Sequence, residues 1–429
     1  MNKQNTNLAL DKILLILIFC FPLIIILRSA MINIATTVIS LIMLFYILKR
    51  IPMNFFKNKL VIYIIFFFSY IFINSVIHFK NFDLLLKSLG NFRYLLLTAA
   101  VFFVMKNLSN QKKIFFIYFN TIIIFFITLD IFYQFIFDKD FFGFTPGMCD
   151  TTCLRFSGLF GDELIAGSYL SQIGLLILML FWNLILNKSS YNLFLKAFLL
   201  TFFLLIILIT GERAPLLIII IYFFFQFYFK NEIAKFFFIF LFFLTLIFFL
   251  SQKIESVNIR FLKLLDNLSE QSDGTTVNKI NNSYWFMHYK AAIELFIEKP
   301  IIGHGPKSFR VKCQDTNIQK EIINKNIENS KFHSACSTHP HNYFLEFLSE
   351  QGMVGGMFFI GFSFFLFTII YKKKKNSKNE NLFMFIGTGS LILAIIFPFK
   401  PSGSFFSTFN ASMLFYIFGF FLYYLKKVK

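Results

Sequence analysis

AKFFFIFLFFLTLIFFLS, residues 234–251, is an apolar run whose one charge, Lys235, stands at its start. A hydrocarbon core takes about 20 such residues as a helix, because a helix satisfies its own backbone groups where no water can. Windows of this kind recur about twelve times, at roughly 10–28, 31–48, 60–78, 84–105, 114–137, 164–186, 193–210, 213–229, 234–251, 343–371, 381–398 and 405–425. The 84–105 window carries Lys87 and Arg93 in its first half. Only 15% of the 429 residues are charged and 57% are hydrophobic, whereas a soluble domain carries about a quarter charged residues. An ordinary soluble fold is excluded. The expectation is an all-α polytopic membrane protein with about twelve transmembrane helices and one large loop between spans nine and ten. Residues 1–251 then hold about nine spans, 252–342 the loop, and 343–429 about three spans.

The 69 Phe accompany abundant Ile, Asn and Lys, a bias of AT-rich coding that fills lipid-facing helices rather than a set of stacking platforms. A net charge of +19 suggests nucleic acid in a soluble protein. Here much of it flanks spans, and no nucleic-acid partner is expected. No small-residue cleavage site follows the first apolar segment, which therefore reads as a first span and not as a removable signal.

Short basic connections are retained on the cytoplasmic side. Those carrying Lys49, Arg50, Lys57 and Lys59, then Lys106, Lys112 and Lys113, then Lys188 and Lys196, then Lys230 and Lys235, then Lys372 to Lys375, and finally Lys426, Lys427 and Lys429 alternate with less basic ones. Both termini are accordingly expected in the cytoplasm. Asp138–Glu163, Thr210–Ala214, 252–342 and the turn near Lys400 fall outside it. Cys149 and Cys153 share one of these outer loops, and Cys313 and Cys336 share another. An oxidising compartment such as the bacterial periplasm permits two disulfides, although spacing alone does not prove pairing.

Within the long loop, Trp285, Tyr289, Ala292 and Phe296 recur at helical spacing over Tyr284–Lys299, which predicts an amphipathic helix ended by Pro300. Gly303-His304-Gly305-Pro306 then reads as a tight turn. Lys307 and Arg310 behind it lend some weight to phosphate binding, which a lone G-x-G supports weakly. Thr338-His339-Pro340-His341-Asn342 stands where the loop becomes a membrane helix. An imidazole there is able to take a proton from a hydroxyl at neutral pH. The plainer reading has Thr338 or Asn342 capping the helix and both histidines solvated. His333, Cys336, His339 and His341 are all zinc-ligand types but match no common zinc spacing, so no metal and no cofactor are expected. Arg155, Arg213 and Arg310 lie near the outer surface, and guanidinium forks suit phosphate oxygens. Arg213 has Glu212 beside it as an alternative partner.

His341-Asn342, nine intervening residues and then Gly352-x-x-Gly355 resemble the signature of the O-antigen ligase and polymerase superfamily. The Arg155-x-Ser-Gly158 loop, the Arg213 turn and the Pro300–Phe309 turn extend that resemblance, and the span count fits it. It implies metal-independent glycan transfer at the periplasmic face of the bacterial inner membrane. The donor is an undecaprenyl-diphosphate-linked saccharide, and the acceptor is a hydroxyl on lipid A core, another glycan or protein. By the same resemblance His341 is the general base, Asn342 positions it, and Arg213 holds the diphosphate, with Arg155, Arg310, Lys307 and His339 binding substrate. The chain departs from the family at Gly356 and Phe359, where Thr and Tyr are usual. It also has Tyr284 and Trp285 where an Arg usually opens the amphipathic helix, which leaves Arg310 or Arg260 to supply a second cation. A polymerase differs from a ligase in its acceptor alone. A transporter or flippase is the rival of another class, favoured by Asp130, Gly387, Gly389 and Pro398 within spans; a non-catalytic glycan-binding receptor is a third.

Overall fold

Asn58, Ser109 and Ser407 each open a long helix by accepting a hydrogen bond from a backbone N–H of the first turn, which satisfies a donor with no partner inside the helix. The computed structural model describes residues 3–49, 55–79, 82–150, 153–186, 193–262, 284–329, 334–375 and 381–428. Among these, nine helices are long and apolar enough to cross a membrane: Arg28–Leu48, Lys59–Ile77, Phe82–Asn107, Asn110–Phe137, Ala166–Leu184, Arg213–Lys230, Ile233–Ser251, Tyr343–Lys374 and Thr408–Lys427. Ala197–Ile209 and Leu382–Ile395 are shorter apolar helices.

All twelve apolar windows fall on helix, but several are not single rods. The first is divided into Lys3–Phe19 and Phe21–Ile26, where Pro22 lacks the N–H that would continue the ladder. The fourth is interrupted at Asn91 between Phe82–Gly90 and Phe92–Asn107. The eleventh stops at Ile395 ahead of Pro398, whose ring disfavours helical backbone before it. A two-stranded antiparallel hairpin, Gly147–Asp150 with Cys153–Arg155, sits in the Asp138–Glu163 loop, where no strand was expected.

Thr408–Lys427 is the central helix, with 83% of its apolar window buried, whereas Ile233–Ser251 is peripheral at 17%. Between membrane helices close contact replaces the hydrophobic drive that water supplies. Gly419 permits it: a Cβ there would stand 2.5 Å from Val101 Cβ, and Thr98 Oγ1 donates to the Phe415 carbonyl at 2.8 Å across the same interface.

The lysine-bearing ends meet at one end of the bundle. Lys374 Nζ donates to Asn231 Oδ1 at 3.0 Å, Lys373 Nζ to the Val428 carbonyl at 2.8 Å, and Lys113 Nζ to the Tyr423 hydroxyl at 3.0 Å. Since Lys374 and Asn231 close the same end of their helices, Arg213 and Tyr343 start those helices toward the opposite end.

Tyr343–Lys375 is kinked at Gly352, whose φ of 66° and ψ of −164° are not helical. The kink would strand the 353→349 and 354→350 hydrogen bonds, and the Pro300–Gly305 turn takes up all four groups. Met353 N–H donates to the Pro300 carbonyl (2.7 Å) and Val354 N–H to that of Ile301 (3.3 Å). In return His304 N–H donates to the Ser349 carbonyl (3.3 Å) and Gly305 N–H to that of Glu350 (2.8 Å). The Tyr70 hydroxyl covers the Gln351 carbonyl at 2.7 Å. Buried backbone groups require such partners. The contact is backbone on backbone: a Cβ on Gly303 (φ +67°) would lie 2.5 Å from the Glu350 carbonyl carbon, and one on Gly352 would overlap the Ile301 carbonyl.

Residues 284–329 and 334–342 carry a second small core of Met287, Ala291, Ala292, Leu295, Phe309, Cys313, Ile322 and Ala335. The amphipathic helix is Tyr284–Glu298. Its buried stripe is Met287, His288, Ala291, Ala292 and Leu295, while Trp285 is 39% exposed. The expected Trp285–Tyr289–Phe296 face is corrected accordingly, because the covering segment is pinned by a Cys313–Cys336 disulfide with Cα atoms 5.4 Å apart. The side chains of Cys149 and Cys153 lie outside the described set, as does His333.

Gly352→Ala and Gly303→Ala should each lower stability by about 2 kcal/mol or more, since each forces a side chain into left-handed backbone against a facing main chain. Gly90→Ala, with nothing within 4 Å of its added Cβ, should stay within about 0.5 kcal/mol. Melting temperatures in detergent decide this, and equal shifts at all three would refute the docking argument.

Candidate active site

His341 adopts left-handed backbone, φ +56°, which is uncommon for a residue with a Cβ. The Ser402 N–H holds its carbonyl at 2.9 Å. Its imidazole is surrounded by rings: Trp285 edge-on at 4.7 Å between centroids, His288 stacked at 5.3 Å, and His339 tilted at 4.2 Å. His288 Nδ1 lies 2.8 Å from the Ala335 carbonyl, so in the neutral ring that nitrogen carries the proton. His339 pairs its Nδ1 with the Thr338 hydroxyl at 2.8 Å, and its Nε2 is buried with no hydrogen-bond partner among the described residues. Burial, with His288 and Arg310 close by, lowers the His339 pKa to about 4. Burial again, then His339 and His288, lowers that of His341 to about 3. Both imidazoles are therefore neutral at pH 7. Among the described residues no His, Cys, Asp and Glu side chains converge as a metal-binding group.

Asn342 acts on the chain rather than on the imidazole. Its Oδ1 accepts from Leu345 N–H at 3.0 Å, and its Nδ2 donates to the Pro398 and Lys400 carbonyls at 2.7 and 3.3 Å. It caps the Tyr343 helix and fastens it to the Pro398–Ser402 turn, the turn that holds the His341 carbonyl. One turn further, Glu346 accepts from Ser404 Oγ and from Phe405 N–H. Glu350 accepts from Lys307 N–H at 2.6 Å and Phe309 N–H at 3.3 Å, which fixes Lys307 in left-handed backbone, φ +58°. Lys307 and Arg310 thereby line a cleft of about 220 Å³ with His78, Asp83, Lys87 and His304. Desolvation, then Arg310 and Lys87, lowers the Lys307 pKa.

Arg155, Arg213 and Arg260 gather at the Thr210–Ala214 turn. Arg213 Nε donates to the Arg260 carbonyl and Arg260 Nε to that of Gly211, both at 2.9 Å. Arg155 donates to the Leu164 carbonyl at 2.8 Å and lies 4.0 Å from Glu212. Glu212 is occupied by the start of the Ala166 helix, accepting from Gly167 N–H at 2.7 Å and Ser168 Oγ at 2.8 Å. It serves there as a cap supplied from another segment. Burial raises the Glu212 pKa and lowers that of Arg155.

The predicted residues thus fall into an imidazole group with Lys307 and Arg310 nearby, and a guanidinium group at the Arg213 turn. Both lie at the end of the bundle away from the lysine-bearing connections. Gly303, Gly305 and Gly352 shape the docked turn, and Gly355 lies in the helix just past the kink. Asp130, the main sign of transport chemistry in the sequence, accepts from Phe141 N–H at 3.0 Å and packs under Gly158, so it ties down the Asp138–Glu163 loop.

His288 and Lys400 are not among the site candidates drawn from the sequence. His288 was within reach of such a reading, since 288, 291, 292 and 295 follow helical spacing and a histidine interrupts an otherwise apolar stripe. Lys400 is 4% exposed, 5.3 Å from the Tyr343 ring centroid, and burial takes its pKa down to about 7. Its local sequence carries no sign of that burial.

Residues 197–360 match the family model described as O-antigen ligase, which supports the superfamily resemblance carried by the motifs. A search of curated proteins finds no match.

The histidine group fixes a sign for acid stability. Unfolded imidazoles titrate near 6.5, so below that pH the unfolded chain binds protons that the folded one refuses. The melting-temperature difference between the parent and a His339→Gln/His341→Gln variant, which isolates the histidine contribution, should be flat above pH 7 and change as pH drops from about 6.5 toward 4, with the parent losing more. A difference that stays constant across that range would contradict the shifts.

Proposed function

We propose that this chain transfers a glycan from an undecaprenyl-diphosphate-linked donor to a hydroxyl acceptor such as lipid A core, in the manner of an O-antigen ligase. The observation that carries the reading is the neutral, ring-packed His341 at the same end of the bundle as the Arg155, Arg213 and Arg260 group, inside a segment matching the O-antigen ligase family. In this reading the lysine-bearing end is cytoplasmic, with both termini there. The twelve helices span the inner membrane, and 252–342 stands between the 1–251 and 343–429 spans as a periplasmic loop. A polymerase shares the chemistry and differs in acceptor.

The acceptor hydroxyl oxygen attacks the anomeric carbon of the donor saccharide while the bond from that carbon to the phosphate oxygen breaks. The diphosphate leaves with the electron pair, and the hydroxyl proton passes to His341. Two cations on the diphosphate stabilise the charge that develops there, and Arg213 with Arg260 supplies such a pair. Asn342 contributes by holding the helix start against the Pro398–Ser402 turn, which is a positioning role. A base with so low a pKa in the free enzyme gains basicity when the anionic donor arrives beside it.

His341→Ala should reduce kcat by about 10² to 10⁴, the usual contribution of a general base. Arg213→Ala should cost about 10² in kcat/KM for the lipid-linked donor. The acid limb of kcat/KM should lie near pH 3 to 4, well below 6.5, with that of kcat displaced to higher pH. Transfer assays with purified protein, lipid-linked glycan and core acceptor measure all three. Parent-like turnover in His341→Ala would remove the base assignment, and accumulation of single repeats on the core in a deletion strain would favour the polymerase.

A further inference from the structure

At the lysine-bearing end of the bundle, Lys57, Lys59, Lys373 and Lys426 line one cavity of about 400 Å³, within the roughly 300–1,000 Å³ of small-molecule sites. They come from three places in the chain: the start of the Lys59–Ile77 helix and the last turns of Tyr343–Lys375 and Thr408–Lys427. Among the described residues no carboxylate lines the cavity. Its wall is apolar, formed chiefly by Phe55 and Phe102, which are 1% and 6% exposed. Lys373 Nζ is anchored on the Val428 carbonyl at 2.8 Å, and Lys426 Nζ lies 5.9 Å from the Phe102 ring centroid.

Lysines at this end are explained in general by orientation in the membrane and by helix C-termini. Neither reason requires four to surround one hollow. A neighbouring cavity at the same end, lined by Asp11 and Lys112, holds one charge of each sign and balances itself. Among the described residues the Lys57 cavity is lined by four ammonium groups and no acid, so an anion entering it meets charge of one sign. An apolar wall rimmed by ammonium groups fits an amphiphile with a phosphate head.

We propose that this cavity binds the phosphate headgroup of an anionic phospholipid, with an acyl chain against Phe55 and Phe102. Basic pockets between helices on the cytoplasmic side take such headgroups, and the assignment is independent of the glycan-transfer reading.

Full-length protein in zwitterionic nanodiscs is titrated with phosphatidylglycerol, phosphatidylcholine or inorganic phosphate, following melting temperature and retained lipid by native mass spectrometry. Phosphatidylglycerol should raise the melting temperature by several degrees and remain bound, while the other two should not. Lys57→Gln, Lys373→Gln and Lys426→Gln together should weaken its apparent affinity about tenfold. The corresponding triple Arg variant should retain it, which separates lost charge from misinsertion. Lys49→Gln with Lys112→Gln should leave binding unchanged. Parent-like binding by the triple Gln variant, or equal loss in the Lys49 and Lys112 control, would overturn the site. A full shift with inorganic phosphate alone would assign the cavity to a soluble anion and overturn the lipid occupant.

Discussion

The exchange of backbone hydrogen bonds between the Gly352 kink and the Pro300–Gly305 turn governs the arrangement at the end of the bundle away from the lysine-bearing connections. Two bonds internal to the helix are replaced by four that join it to the loop. In a site with little water the freed N–H and C=O groups have no cheap alternative. The interaction therefore fixes how far the loop descends and which way the Tyr343 end of the helix leans. Glycine is required on both sides because the two main chains touch.

From that joint the chemistry-bearing groups acquire their places. Glu350, two residues before the kink, anchors Lys307 and Phe309 N–H, and Glu346 anchors the Ser404–Phe405 turn. Asn342 ties the helix start to Pro398 and Lys400. His341 is then clasped from its main chain by Ser402 and from its ring by Trp285, His288 and His339. Buried carboxylates accepting several hydrogen bonds hold loops more firmly than exposed ion pairs do. The acidic residues Glu346 and Glu350 build the site by holding turns, and in the proposed reading the imidazole and guanidinium groups are left to meet the donor.

Charge divides the molecule between its two ends. The lysines of the short span connections collect at one end and around one apolar cavity, while the described histidines and the Arg155, Arg213 and Arg260 group lie at the other, together with Lys87, Lys307 and Lys400. A flexible ammonium suits a membrane surface, and a planar guanidinium suits a fixed phosphate. Asp130, within a span, is occupied in holding a loop.

The apolar windows, the amphipathic helix before Pro300 and the lysine alternation were all legible in the sequence, because membrane helices declare themselves by local composition and length. The break beside Pro22 is local, but the interruption at Asn91, the hairpin ending at Arg155 and the one- to two-residue rotation of the Tyr284–Glu298 stripe were not legible, since each depends on what covers the segment. Residue types likewise marked His339, His341, Arg155 and Arg213 as candidates. Only tertiary structure set His288 against His341, joined Arg213 to Arg260, turned Glu212 to the Ala166 helix, fastened Asn342, whose capping role the sequence offered, to Pro398, and explained Gly303 together with Gly352. Those are pairings of residues about 40 to 50 or more positions apart. A sequence fixes which groups are available, while the approach of distant backbones decides which of them meet.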